Sequence, residues 1–316
     1  MKNNITLHDG YADATKRAYQ ADWRVFERWC LEFNHKPLPA TSEIVAEFLD
    51  AQAEDFKPAT LTRRKAAISS IHKDMEHQDP TKNRLVAVAL KRAYRKQGRR
   101  QKQARPLNRE VVDQMLTSDR KSLIAVRDAA LLSAAYDTGC RRSELVSIQA
   151  EDIDRMEDGS ATVLIRKAKT DQEGNGQVRY LAPDTVKKID AWLDRSSIET
   201  GSLFRSIFNG KVKTSQLPPR DVARRFKAMA AAASIETAIA SSYSGHSTRV
   251  GMAQDMAAAG IDLIAIMQAG GWKTPTTVSR YVERLGAQRG AAATLAQKQD
   301  RFPITPKCEL INGGNK

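Results

Sequence analysis

The stretch from His246 to Tyr281 constrains this chain more than any other, because its glycines divide it into three short helices with polar groups at their starts. His246-Ser247-Thr248-Arg249 opens the first helix. Three steps separate the histidine from the arginine, so on a helix both side chains share one face, one turn apart, and can grip one small anion. Gly260 is placed to cap that helix. A short apolar segment, 261–267, follows and is broken by Gly270 and Gly271, with Trp272 directly after the break. Thr274-Pro275 reads as an N-cap followed by proline at the first helical position, which puts Tyr281 inside a helix over 276–285.

Charge narrows the partner. Among 316 residues, 51 Lys and Arg outweigh 37 Asp and Glu, giving a formal net charge of +14, and such a balance calls for a polyanion. Nucleic acid fits better than a membrane, because no apolar run approaches the ~20 residues that a spanning helix needs. Basic composition alone would also suit a ribosomal or RNA-binding protein. Cys30, Cys140 and Cys308 lie far apart without paired or metal-ligand spacing, which fits reduced thiols. The N-terminus has no apolar signal core. A cytoplasmic location is expected. With five histidines and no cluster of ligand spacing, neither a metal nor another cofactor is expected.

The length suggests two domains. Residues 11–100 read as helical: an amphipathic helix over 11–33 carrying Tyr19, Trp23, Phe26 and Trp29, a second over 43–53 capped by Ser42, and a third over 60–75. The third carries Arg63 and Arg64 in its first turns, where cations oppose the helix dipole and invite an external anion. Residues 91–105 hold eight basic residues and no acidic one: Lys91, Arg92, Arg95, Lys96, Arg99, Arg100, Lys102 and Arg105. Such a segment repels itself unless neutralised, so it reads as a helix entering a basic interdomain linker on a nucleic-acid backbone. The expected organisation is a helical domain over 1–98, a linker over 99–107 and a second domain over 108–316. In the second, Asn108 is placed to cap 109–116, and an apolar helix over 123–136 stops at Gly139. Residues 161–183 carry the one clear β signal, 162–170 and 177–181 flanking a turn-rich 171–176. Helices are expected over 184–196 and 219–233, the second bearing Arg220, Arg224, Arg225 and Lys227, while 203–217 shows no readable motif.

Residues 244–285, from Ser-Gly-His246 to Arg-Leu285, resemble the C-terminal part of the tyrosine recombinases of the phage integrase family. They resemble its Cre-like branch in particular, in which tryptophan follows the Gly-Gly turn where many relatives carry histidine. Asp137-Thr-Gly-Cys-Arg141-Arg142-Ser-Glu144 resembles the family's first arginine box. The resemblance implies a mostly α fold, with a helical N-terminal core-binding domain and an α+β catalytic domain holding a small antiparallel sheet. It makes Arg141 the second half of the phosphate clamp with Arg249, and Glu144 the acidic residue that steadies the site. Arg142 faces elsewhere, as a solvent or DNA-backbone contact. It also implies a hairpin lysine that protonates the leaving oxygen; Lys169 matches best, with Lys167 two residues away on the same face. His246 then donates a hydrogen bond or takes the proton of Tyr281, and Trp272 offers an indole N–H.

The activity implied is site-specific cleavage and rejoining of double-stranded DNA through a 3′-phosphotyrosyl intermediate, without metal or ATP, by a homotetramer on paired recombination sites. Tyrosine ordinarily titrates near 10, so a phenolate beside two arginines is a reasonable nucleophile. A C-terminal helix over 287–298 either docks into a neighbouring subunit or packs in cis. Two alternatives stand beside this reading: a type IB topoisomerase-like enzyme that relaxes supercoils, and a non-catalytic DNA-binding protein that keeps the fold.

Overall fold

Amphipathic helices build most of 13–97, and the computed structural model describes residues 10–98, 100, 103–117, 122–166 and 175–301 of the chain. They divide into two units, within Met1–Lys102 and within Gln103–Lys316. In the first unit α1 (Asp13–Glu32) packs on α3 (Pro58–Asp74), and α2 (Ser42–Gln52) on α4 (Arg84–Gln97). Of the expected stripe of α1, Trp23, Phe26 and Trp29 are buried and Tyr19 is partly buried against them, with Cys30 joining the buried face. Phe26 meets Phe48 of α2 edge to face at 5.0 Å between centroids. Each such fully buried ring contributes roughly 1.5–3 kcal/mol.

Local chemistry moves two starts. Thr41, not Ser42, is the N-cap of α2, accepting from the Ile44 N–H, while the Ser42 hydroxyl bonds the Pro80 carbonyl. Helix α3 begins at Pro58, before the expected position, because proline suits the first helical turn. Asn83 caps α4, which ends at Gly98 with φ +75°.

The second unit is arranged around α6 (Leu123–Thr138), preceded by α5 (Arg109–Leu116) and followed by the short α7 (Arg142–Val146). Helix α6 is apolar on nearly all sides and therefore central, with Ala130, Leu131, Leu132, Ala134 and Ala135 buried. Asn108 precedes α5, but its side chain makes no capping bond. The Arg109 N–H goes instead to Asp255 Oδ2 at 2.7 Å.

Three antiparallel strands follow, β1 (Ile153–Arg155), β2 (Ala161–Ile165) and β3 (Gln177–Leu181), in that order across the sheet. Residues 167–174, which include Lys167 and Lys169, lie outside the described residues. After α8 (Pro183–Ser196) the stretch without a readable motif forms a second antiparallel pair, β4 (Arg205–Phe208) and β5 (Lys211–Gln216). Its turn is Asn209-Gly210, both at positive φ, the pairing a tight hairpin favours.

The described residues close with α9 (Pro219–Ala232), α10 (Thr237–Ser242), α11 (Ser247–Ala258), α12 (Leu263–Gly270), α13 (Pro275–Arg289) and α14 (Ala291–Lys298). Helix α13 runs beyond the expected 285 and breaks at Gly290. Arg225 of α9 is no surface cation: it bonds Asp128 at 2.7 Å, and that carboxylate, buried in α6, is also held by Arg127.

Candidate active site

Segments of the second unit converge on a cavity of about 190 Å³ lined by Arg141, His246, Arg249, Trp272, Lys273, Thr274, Thr277 and Tyr281. Arg141 stands at the N-cap of α7, where Glu144 organises it twice. Glu144 Oε2 accepts the Arg141 backbone N–H at 2.9 Å, and Oε1 accepts from the guanidinium at 2.7 Å. Glu144 is buried, so a charge-assisted bond there fixes the guanidinium strongly.

Arg249 is placed by the end of α6. Gly139 turns the chain at φ +55°, and its carbonyl accepts from the Arg249 guanidinium. That guanidinium is 2 % exposed and lies over the Trp272 indole, 4.7 Å from the ring centroid, a cation–π contact that eases its desolvation. Burial and the like charge of Arg141 push its pKa down, yet a guanidinium stays protonated at neutral pH.

His246 is the N-cap residue of α11. Desolvation first, then the charges of Arg249, Arg141 and Arg142, hold its pKa below the ordinary value, which favours the form of the imidazole that can accept a proton. The Trp272 ring meets the Tyr281 ring edge to face, 6.0 Å apart and at 71°. Its Nε1 is buried without a hydrogen-bond partner, and a buried unpaired donor costs about 1–3 kcal/mol. Tyr281 is anchored through its carbonyl, which accepts from Gln254 of α11 at 3.0 Å and from Gln103 at 3.2 Å.

Lys273 and Thr277 line the cavity without any signal in the sequence, and Thr274, read from the sequence only as a helix N-cap, lines it as well. Thr277 sits one turn before Tyr281, a spacing that shares its face, and its hydroxyl lies 3.1 Å from that of Thr274. Arg142 is exposed and is not among the lining residues.

The expected DNA contacts divide. In the first unit Lys91 and Arg95 are exposed, Arg92 is paired with Asp50, and Lys96 with Glu54. Arg63 makes a two-point bond to Asp22, at 2.6 and 3.0 Å, with its side chain half exposed. Arg64 corrects the expectation: it is 5 % exposed, bonded to Gln52 and stacked 3.9 Å over the Phe56 ring, which leaves no free face for a phosphate. Arg99 lies outside the described residues, and Arg100 and Arg105 are exposed.

Residues 105–287 match the phage integrase family. The chain is 31% identical over 296 residues to the integrase/recombinase xerD homolog of Selenomonas ruminantium, covering 90% of this chain and 85% of that one. It is 30% identical over 298 residues to the recombinase cre of Escherichia phage P1, covering 88% and 86%. Among solved structures, that of the XerH site-specific recombinase bound to palindromic difH substrate superposes with a TM-score of 0.65 at 19% identity, over 89% of this chain and 79% of the other. A lambda integrase dimer on a COC′ core site gives 0.58 at 16%, over 86% and 89%; both show the same fold. The chain belongs to the phage integrase family and is a tyrosine recombinase. Among the described residues no helix is long and apolar enough to cross a membrane.

Proposed function

We propose that the chain is a site-specific recombinase that cuts and rejoins double-stranded DNA through a 3′-phosphotyrosyl intermediate formed on Tyr281. The observation that carries this reading is the cavity itself, where one tyrosine shares a small space with two guanidiniums, an imidazole and an indole whose N–H is buried and unpaired.

A phosphodiester resists attack because its oxygens repel nucleophiles and its alkoxide leaves poorly. Donors fixed in advance where charge develops lower that barrier most. Arg141 and Arg249 meet the non-bridging oxygens, each guanidinium presenting a planar fork matched to phosphate. The Trp272 N–H finds in the same oxygens the acceptor it lacks. His246 takes the phenolic proton as the Tyr281 oxygen attacks phosphorus, and the bond to the 5′-oxygen breaks. Lys169, by the family resemblance, protonates that oxygen. A 5′-hydroxyl from a second strand then attacks the phosphotyrosine and restores Tyr281, so bond energy is kept and the steps as drawn call for neither metal nor ATP.

The exposed cations Lys91, Arg95, Arg100, Arg105 and Arg142, with Arg63, Arg92 and Lys96 exchanging partners, serve the DNA backbone in this reading. Four sites around two paired duplexes would make the working form a homotetramer. Strand exchange tests it. Two labelled duplexes carrying the recognition site should yield recombinant products without added metal; relaxation of supercoils without exchange would turn the reading to a topoisomerase, and binding without cleavage to a non-catalytic protein.

A further inference from the structure

We propose that Arg179 is a positioning residue for strand cleavage, acting through the Gly270-Gly271 turn that presents Trp272; the inference rests on reading the cavity as a phosphodiester site. Alternation along β3 puts Gln177, Arg179 and Leu181 inward and leaves Val178 and Tyr180 exposed. A guanidinium is thereby buried where a sheet ordinarily buries an aliphatic side chain, and its cross-strand partner is Val163.

Its contacts lead to one place. Arg179 Nη1 donates to the Gln268 carbonyl at 3.2 Å, in the last turn of α12, where the helix dipole is negative and favours a cation. Nη1 also meets the Val178 carbonyl at 3.3 Å, and Nη2 the Gln177 side chain. Gly271 follows at φ +64°, and a Cβ built there would stand 1.9 Å from Arg179 Nη2. A Cβ on Gly270 would stand 2.0 Å from the Trp272 ring. Two flat groups thus clasp a side-chain-free turn, the guanidinium on Gly271 and the indole on Gly270.

Stability alone is a poor reason for this arrangement. Arg179 Nε is buried without a partner, no carboxylate bonds the guanidinium among its described contacts, and a hydrophobe in place of a buried charge is often neutral or stabilising. What the charge supplies is a fixed turn, and with it a fixed indole at the cavity.

The test is single-turnover covalent cleavage by the full chain on saturating site DNA, with thermal unfolding measured alongside. Arg179→Met should cleave on the order of 10²-fold more slowly, the scale on which small misplacements act, with DNA affinity and unfolding temperature close to wild type. Arg179→Lys should recover part of the rate, and carries the comparison if the Met variant does not fold. In a Trp272→Phe background, Arg179→Met should cost little more, because the donor it positions is already gone. Wild-type cleavage by Arg179→Met, or equal losses in both backgrounds, would overturn the inference while leaving the proposed reaction intact. Absence of any adduct from the wild-type protein would overturn that reading and this inference together.

Discussion

Trp272 keeps an indole N–H with nothing to donate to, which gives Trp272→Phe a clear expectation. The ring contacts with Arg249 and Tyr281 can persist while the donor is lost, so cleavage should slow by about 10²-fold with unfolding little changed, read by adduct formation under single-turnover conditions. His246 makes a second prediction. Desolvation and neighbouring cations depress its pKa, so its ring proton resonance should titrate below the ordinary value of about 6.5, and vanadate in the cavity should raise that midpoint. Legibility at this scale followed motif. That His246, Arg249, Trp272 and Tyr281 line one cavity follows the order and spacing that mark them in the sequence, and Arg141 of the arginine box joins them there, held by Glu144. Arg64 reads in the sequence as a first-turn cation awaiting an anion, yet Leu61, Arg64, Ile68 and Ile71 follow one helical stripe and all are buried. Arg179 was overlooked because β3 reverses the usual polarity, with its valine and tyrosine outward and its arginine inward.

At the scale of elements, α11 is seated by backbone contact. The Leu107 N–H donates to the Ser247 carbonyl at 2.9 Å, and a Cβ on Gly251 would stand 1.9 Å from the Leu107 carbonyl oxygen. Gly251→Ala should therefore displace the helix that carries Arg249 and destabilise the protein by at least about 2 kcal/mol, measured by chemical denaturation. In the first unit, buried His72 accepts the Ala40 N–H at 2.9 Å and contacts the Ile68 carbonyl at 2.8 Å through Nδ1, so Nδ1 carries the proton. Burial lowers its pKa. The unfolded chain then binds a proton that the folded one refuses, so this contribution is complete above about pH 6.5 and is lost as pH falls below it. His72→Gln should lower stability at pH 7 and flatten the acid limb of a stability–pH profile. Most helices were legible from apolar period and capping residues. The β4–β5 hairpin was not, because polar strands such as Lys211–Gln216 show no apolar alternation, although Asn209-Gly210 was itself a turn signal.

For the whole molecule the formal charge of +14 predicts DNA binding dominated by phosphate neutralisation. Affinity should fall linearly with salt on a log–log plot, and each backbone cation removed, Arg95→Ala for example, should reduce the slope by about one at every sequence tested. Fold class was readable at this scale because the family's motifs span the second unit, whereas how the basic residues divide between internal ion pairs and open surface was not, since pairing such as Arg92 with Asp50 joins residues distant in sequence. The central claim, that Tyr281 attacks DNA, is tested most directly by covalent capture. Wild-type protein and Tyr281→Phe are incubated with fragments of the native replicon in the absence of metal, denatured, and probed for protein-linked DNA. An adduct at one sequence with wild type and none with the phenylalanine variant is the predicted result. An equal adduct in both, or none in either despite tight binding, would contradict it.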